Sequence, residues 1–509
     1  MVLLFYETEN SFIPEQLGER KMIRSNEESA RLKRIFDVDK LSAKPIDRHF
    51  AFDHHLQKFL AGRLLLLEEV PFPLDVIHEH VEHGYICYEK GIIDEGRAIV
   101  CQRCGNRRAH LLGRLPCARC GKDCIYCRQC IMMGRVSQCT PLVRWTGPEL
   151  SFSYPDALCW NGELSPAQEE AAEKVVTAIA EKTDLLIWAV CGAGKTEMLF
   201  PGIAYALRHG LRTAIATPRT DVVLELAPRL QQVFPDVPVA ALYGGSEDRY
   251  KFAPLTITTT HQLLRFQDAF DVMIIDEVDA FPYSADDMLQ RAAEKARKSK
   301  STQVFLTATP EESWQRECWT GKRNCYILPA RFHRHPLPLP RFIWCGNWRK
   351  ALERKSIPAS VENWVRERLA KGKQALVFFP HIELMERSLP LFQRLHPEIA
   401  AVHAEDPERK EKVQAMREGR IPVLLTTTIL ERGVTIPNID VAVVGAEDDT
   451  FTESALVQIA GRVGRSPDFP AGDIVFFHYG RSQAMIRARN QLIRMNREAF
   501  KRGLIDDEW

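Results

Sequence analysis

No apolar run in this 509-residue chain approaches the roughly 18 residues that a membrane-spanning helix needs. The opening MVLLFYETEN has neither a basic n-region nor a cleavage site, so no secretory leader is expected. A bulk excess of charge is also missing: 68 Lys and Arg stand against 67 Asp and Glu, a formal net charge of +1. Global attraction to a polyanion is thereby excluded, and any nucleic-acid surface has to be local. No segment repeats with a period of about 20 to 50 residues, which argues against a solenoid. A composition of 45% hydrophobic and 27% charged residues excludes disorder. The expectation is a soluble, cytoplasmic protein of about three domains.

Cysteine is present and unevenly spread. Eight of the fourteen fall between residues 101 and 139, as CQRC, CARC and the overlapping CIYCRQC followed by Cys139. Two-residue spacing folds a knuckle around a tetrahedral ion, so the block reads as a Zn2+ site and not as crosslinks. Four thiolates close the coordination sphere, which makes the metal structural. One arrangement is a ribbon pairing Cys101 and Cys104 with Cys117 and Cys120; eight thiols also suffice for two sites, and the spacing does not choose. The block holds eight Lys or Arg against one acid, Asp123, and similar surpluses recur at 331–350 and 481–502. These stretches are candidate polyanion surfaces. The string HEHVEHG at 78–84 reads as a surface helix face.

From residue 160 short β-branched runs (DLLIWAV, TAIAT, VAALY, LTITT, VMIID, QVFLTAT) alternate with amphipathic stretches, and after RFHRHPLPLPRF the alternation restarts with ALVFF, AAVHA, VLLTT, VAVVGA and IVFFH. Strands alternating with helices indicate two parallel α/β lobes. AVCGAGKTE sits between a strand and a helix, the context of a phosphate-binding loop. Gly192 and Gly194 admit phosphate oxygens to backbone N–H groups, Lys195 holds the β- and γ-phosphates, and Thr196 ligates Mg2+. Asp276 and Glu277 end the apolar run VMIIDE, where Asp276 is placed for magnesium and Glu277 for polarising the attacking water. QIAGRVGR, residues 458–465, puts Arg462 and Arg465 three apart on one helical turn, within reach of a γ-phosphate.

These residues resemble superfamily 2 helicases and translocases over about residues 160–480. LSPAQ looks like the adenine-reading element with Gln168, AVCGAGKT like Walker A, DEVD like Walker B, and Thr307–Thr309 like the segment coupling hydrolysis to strand movement. ATPRTDVVLELAPRL and TTTHQLLRF look like strand-gripping motifs, TTTILERGVTIP like motif V, and QIAGRVGR like motif VI with its arginine fingers. The resemblance implies ATP as the ligand of Gln168, Ala189, Gly192, Ala193, Gly194, Lys195, Thr196 and Gly433. Together with YCRQCIMMGRV, the set is similar to the ComFA-type competence ATPases.

That likeness implies α/β architecture: two RecA-like parallel-sheet lobes preceded by a zinc-binding domain. The expected divisions are an N-terminal region of unknown role (1–95), a four-cysteine-type zinc domain (96–145), lobe 1 (146–333) and lobe 2 (334–509). It implies Cys101, Cys104, Cys127 and Cys130 as ligands, leaving Cys117, Cys120, Cys124 and Cys139 for a second site. It further implies import of transforming DNA, single-stranded DNA as track, a membrane uptake channel and other late competence proteins as partners, a homo-oligomer, and a place at the inner face of the cell membrane. The alternatives are a duplex-unwinding helicase of replication restart and a non-catalytic nucleic-acid-binding scaffold. Cys191 departs from the usual Walker loop and reads as a neutral small side chain.

Overall fold

A computed structural model describes residues 4–7, 12–18, 31–38, 41, 44–431 and 436–506. The chain forms two compact units: residues 1–160, 178–183 and 203–304, and residues 161–177, 184–202 and 305–509. The motif-poor N-terminal stretch is a folded part of the first. Asp53 caps helix His54–Leu60 by accepting from the backbone N–H groups of His55 and Leu56. That helix and helix Leu74–Glu82 bury Leu56, Leu60, Ile77 and Val81 against an antiparallel sheet of Leu64–Leu66, Pro141–Trp145 and Ile86–Lys90. The histidines of HEHVEHG were expected on a surface. His78 and His80 are instead buried, with His80 Nε2 accepting from Asp53 N at 2.8 Å and its Nδ1 bonded to Val76 O at 2.8 Å. The helix is there, but its inner stripe takes both histidines, and both ring nitrogens of His80 find backbone partners.

The cysteine block is an excursion between two paired strands of this sheet. Lys90 lies opposite Pro141 in the register, and the chain between them forms a short ladder, Ile92–Asp94 with Ile99–Cys101, and a hairpin, Leu112–Cys117 with Lys122–Cys127. The strand Pro141–Trp145 therefore closes a sheet begun before residue 95. The block and the N-terminal segment share one fold.

The expected parallel sheets are both present. Seven strands run in the order Val239–Leu242, Leu255–Thr259, Thr213–Thr217, Phe270–Asp276, Arg297–Thr307, Leu185–Ala189, Cys325–Leu328. The first four belong to the first unit, the last two to the second, and Arg297–Thr307 divides between them. Six strands form the other sheet, in the order Arg341–Trp344, Ile474–His478, Ile439–Val444, Gln374–Phe378, Val423–Thr426, Ala400–Val402. Three of its inner strands, Val423–Thr426, Ile439–Val444 and Ile474–His478, are buried along their whole length, as the unbroken apolar runs predict. The edge strands Cys325–Leu328 and Arg341–Trp344 escape sequence analysis because each is short and keeps part of its length in solvent.

Candidate functional site

In the second unit, strand Leu185–Ala189 is buried throughout and delivers the chain into the turn of residues 190–196. Ala189 closes the strand. Gly192 and Gly194 have φ of +82° and +71°, a region that side chains rarely enter. A Cβ on Gly194 would collide with the side-chain amide of Gln168. That amide donates to Ala193 O at 2.8 Å and accepts from Ser165 N at 2.8 Å, so Gln168 clamps the turn from helix Pro166–Glu181. Lys195 and Thr196 are half-buried at the turn's end, where Thr196 caps a 3-10 turn that leads into helix Phe200–Arg208. The turn thus brings two positive-φ glycines, a lysine and the start of a helical segment together within a few residues, the residue set that a phosphate-binding loop uses.

Motif VI belongs to the same unit. Helix Glu453–Ala460 is capped by Thr452, and the chain turns at Gly461. Arg462 is buried, and Arg465 is half-buried with its Nε donating to Gly461 O at 2.9 Å. The Cys191 thiol donates to Gln458 Oε1 at 3.1 Å and packs against Gly461, leaving no room there for a Cβ. Cys191 is thus a buried hydrogen-bonding spacer between the turn of residues 190–196 and the end of helix Glu453–Ala460; Arg462 and Arg465, expected on a helical turn, lie beyond that end in the turn that follows, because the helix stops at Gly461. Thr309 Oγ1 meets Ser454 Oγ at 2.8 Å, and Ala308 O accepts from Trp188 Nε1 at 3.0 Å and Gln491 Nε2 at 2.8 Å. Residues 307–309, expected to couple hydrolysis to strand movement, are therefore tied to strand Leu185–Ala189, helix Glu453–Ala460 and helix Gln483–Lys501.

Arg331 is the residue that motif reasoning misses. Almost wholly buried, its Nε donates to Cys191 O at 3.0 Å, Nη2 to Gly461 O at 3.2 Å, and Nη1 to Val463 O at 2.7 Å and to Gly464 O. Burial lowers its pKa to about 10, so it stays charged at neutral pH.

Asp276 and Glu277 lie in the first unit, at the end of strand Phe270–Asp276. Asp276 Oδ1 accepts from Glu277 N at 2.9 Å, and Glu277 has a φ of +54°, a strained conformation for a side-chain-bearing residue. Gly433 of motif V falls outside the described residues.

The first unit also holds the thiols. Cys101, Cys104, Cys127 and Cys130 form one group and Cys117, Cys120, Cys124 and Cys139 another, all sulfurs within each lying within 4.8 Å of one another. Cys101 to Cys130 is 3.7 Å and Cys104 to Cys127 3.6 Å; Cys117 to Cys139 is 3.7 Å and Cys120 to Cys124 3.5 Å. Four converging sulfurs fit a tetrahedral Zn2+, whose bonds to thiolate of about 2.3 Å place sulfurs at such mutual distances. The ribbon pairing Cys101 and Cys104 with Cys117 and Cys120 is not the arrangement found.

The expected basic surplus of the block is largely spent internally. Arg103 is buried, and Arg107, Arg108, Arg119 and Lys122 pair with Glu95, Asp287, Glu68 and Asp37. Arg114 and Arg128 remain exposed. In the stretch 258–266, expected to grip the strand, Arg265 is buried on Glu69 at 3.3 Å. Among the described residues no helix is long and apolar enough to cross a membrane.

Three family profiles match the chain: competence protein ComFA N-terminal domain over residues 46–144, type III restriction enzyme res subunit over 161–312, and helicase conserved C-terminal domain over 359–467. The competence protein ComFA of Bacillus subtilis strain 168 is 50% identical over 457 residues, covering 90% of this chain and 98% of its own. The competence protein ComFA of Streptococcus pneumoniae R6 is 38% identical, covering 76% and 91%. Among solved structures, RecG bound to a three-way DNA junction matches 67% of this chain and 47% of its own, at 19% identity and a TM-score of 0.47.

Proposed function

Because this chain belongs to the ComFA family of competence proteins, helicase-like ATPases of superfamily 2, we propose that it is an ATP-driven translocase on single-stranded DNA that drives import of transforming DNA. The observation that carries this reading is the packing of the phosphate turn, through Cys191 and Gln458, against the helix that leads into Arg462 and Arg465. Lys195 and the N–H groups from Gly192 to Thr196 would hold the β- and γ-phosphates, and Gln168 braces that turn. Thr196 and Asp276 would hold Mg2+, which neutralises charge on the phosphates. Glu277 would take a proton from the attacking water, and Arg462 and Arg465 would stabilise the charge that develops on the γ-phosphoryl group. The strand would advance as the lobes close on nucleotide and reopen after hydrolysis.

In this reading the two thiol groups hold zinc structurally, and exposed Arg114 and Arg128 contribute to phosphate contacts that carry no base preference. The protein works at the cytoplasmic face of the membrane beside an uptake channel and other late competence proteins, as a homo-oligomer.

ATP hydrolysis measured with single-stranded DNA, duplex and RNA tests the track, with the largest stimulation expected on single-stranded DNA. Glu277→Gln should bind ATP normally and lose turnover by at least about 10²-fold. In a transformable host, Lys195→Ala should leave labelled DNA bound outside the cell. Wild-type internalisation by that variant would refute the import role.

A further inference from the structure

Arg331 belongs to none of the nucleotide motifs, yet all four of its hydrogen bonds run to them. Every acceptor is a backbone carbonyl; no carboxylate compensates the charge. Gly461 is the C-cap of helix Glu453–Ala460, so its carbonyl lies at the negative end of that helix's dipole, and Val463 and Gly464 belong to the turn that follows. The fourth, Cys191 O, belongs to the phosphate turn. The cradle is close-packed at Gly464, where a Cβ would collide with Pro470 O and meet Arg331 Nη1 at 3.0 Å, while Gly192 lies against the Arg331 side chain. A buried cation held this way is a poor device for stability, since apolar residues of equal volume usually serve better. What the planar fork supplies is geometry: fixed directions to four acceptors at once.

Gly461 O is shared. Arg465 Nε donates to it at 2.9 Å beside Arg331 Nη2 at 3.2 Å, so two guanidinium groups meet on one neutral oxygen. Nucleotide phosphates would offer Arg465 a charged acceptor in place of that carbonyl, whereas Arg331 is fixed by its other three bonds. We propose that Arg331 is a positioning residue: it holds the motif VI turn to the phosphate loop and competes for the helix-end carbonyl, so that Arg465 is released toward the γ-phosphate. The proposal rests on the finger role given to Arg465 above.

The test uses the full chain and ATP hydrolysis without DNA, so that a failure of DNA to stimulate the wild type counts against the proposed track and leaves this test intact. Arg331→Ala should lower kcat about 10²-fold, with KM for ATP and affinity for a non-hydrolysable analogue within about threefold of wild type. Arg331→Lys, a point charge in place of a fork, should recover part of the loss. Added guanidinium ion should restore turnover to the alanine variant by refilling the cradle. Arg331→Met, which keeps the apolar stem, gives the same reading if the alanine variant does not fold. Arg465→Ala is the reference. If it keeps wild-type turnover, the finger role fails; if it loses turnover and Arg331→Ala or Arg331→Met does not, the positioning role is overturned. A rise in KM at unchanged kcat, or a kcat loss that follows thermal stability and ignores both lysine and guanidinium, would also overturn it.

Discussion

The two thiol groups share one chemistry and differ in what surrounds them. Cys101, Cys104, Cys127 and Cys130 are all buried, and Asn106 turns its amide toward Cys127 at 3.8 Å. Beside them Arg103 donates to Met133 O at 2.6 Å, and its own carbonyl accepts from Lys295 Nζ at 2.5 Å. Lys295 comes from helix Asp287–Ala296, next to the parallel sheet, and burial lowers its pKa to about 8. Glu69 gathers Arg103, Arg249 and Arg265 at 3.9, 2.7 and 3.3 Å. The other group belongs to a hairpin end. Cys120 there is half-exposed, and its packing is mostly with its own members and Leu115. Like ligands can therefore serve unlike ends: one metal would knit three segments of the first unit together, and the other would stiffen a local turn.

Loss of the embedded group should have the largest effect. Cys127→Ser is expected to remove one zinc per chain and to unfold much of the first unit, since structural zinc binding is worth on the order of 10 kcal/mol of folding energy. Metal analysis with thermal melting checks it, and an equal collapse in Cys124→Ser would erase the contrast. Lys295→Met should come next, lowering stability by about 1–3 kcal/mol as Arg103 O and Leu264 O lose their donor. Zinc content should stay at the wild-type level, so loss of metal from the hairpin group in this variant would contradict the separation. Cys120→Ser should remove zinc from the hairpin group alone, with a small shift in melting and ATP hydrolysis near wild type. The smallest change is expected for Arg107→Ala, whose pair with Glu95 is largely solvated and worth about 0.5 kcal/mol or less. A larger loss in chemical denaturation would mean that the block's surface pairs hold it in place.

Much of the phosphate site is legible because its chemistry is local in sequence. A strand, two glycines, a lysine and a threonine lie within a dozen residues, and backbone geometry follows from them. The parallel strands are legible for the same reason: each is a continuous apolar run such as VAVVGA. Arg331 is hidden because its partners are carbonyls, which carry no sequence signature, at positions 191 and 461–464. Counting charge by segment fails on similar grounds. Residues 331–350 hold five cations and no acid, yet Arg334, Arg341 and Arg349 meet Asp506, Asp473 and Asp448 from far along the chain. Buried His80 follows the same logic, since its ring is satisfied by backbone N–H and C=O groups that no residue pattern announces.

Lys90 and Pro141 stand opposite each other in the antiparallel sheet, with about 50 residues running out and back between them. A tether of that length imposes an entropic burden of about 3.5 kcal/mol on the sheet pairing when slack. Ions that join Cys101 to Cys130 and Cys117 to Cys139 would act as clasps, dividing one long slack loop into short closed ones. Because the outgoing and returning strands are already neighbours, the sheet can be bridged by an insert of almost any length. The hairpin end of the block can then change in size in a way that no strand of the parallel sheets can, while the embedded thiol group stays held through Arg103, Lys295 and Glu69.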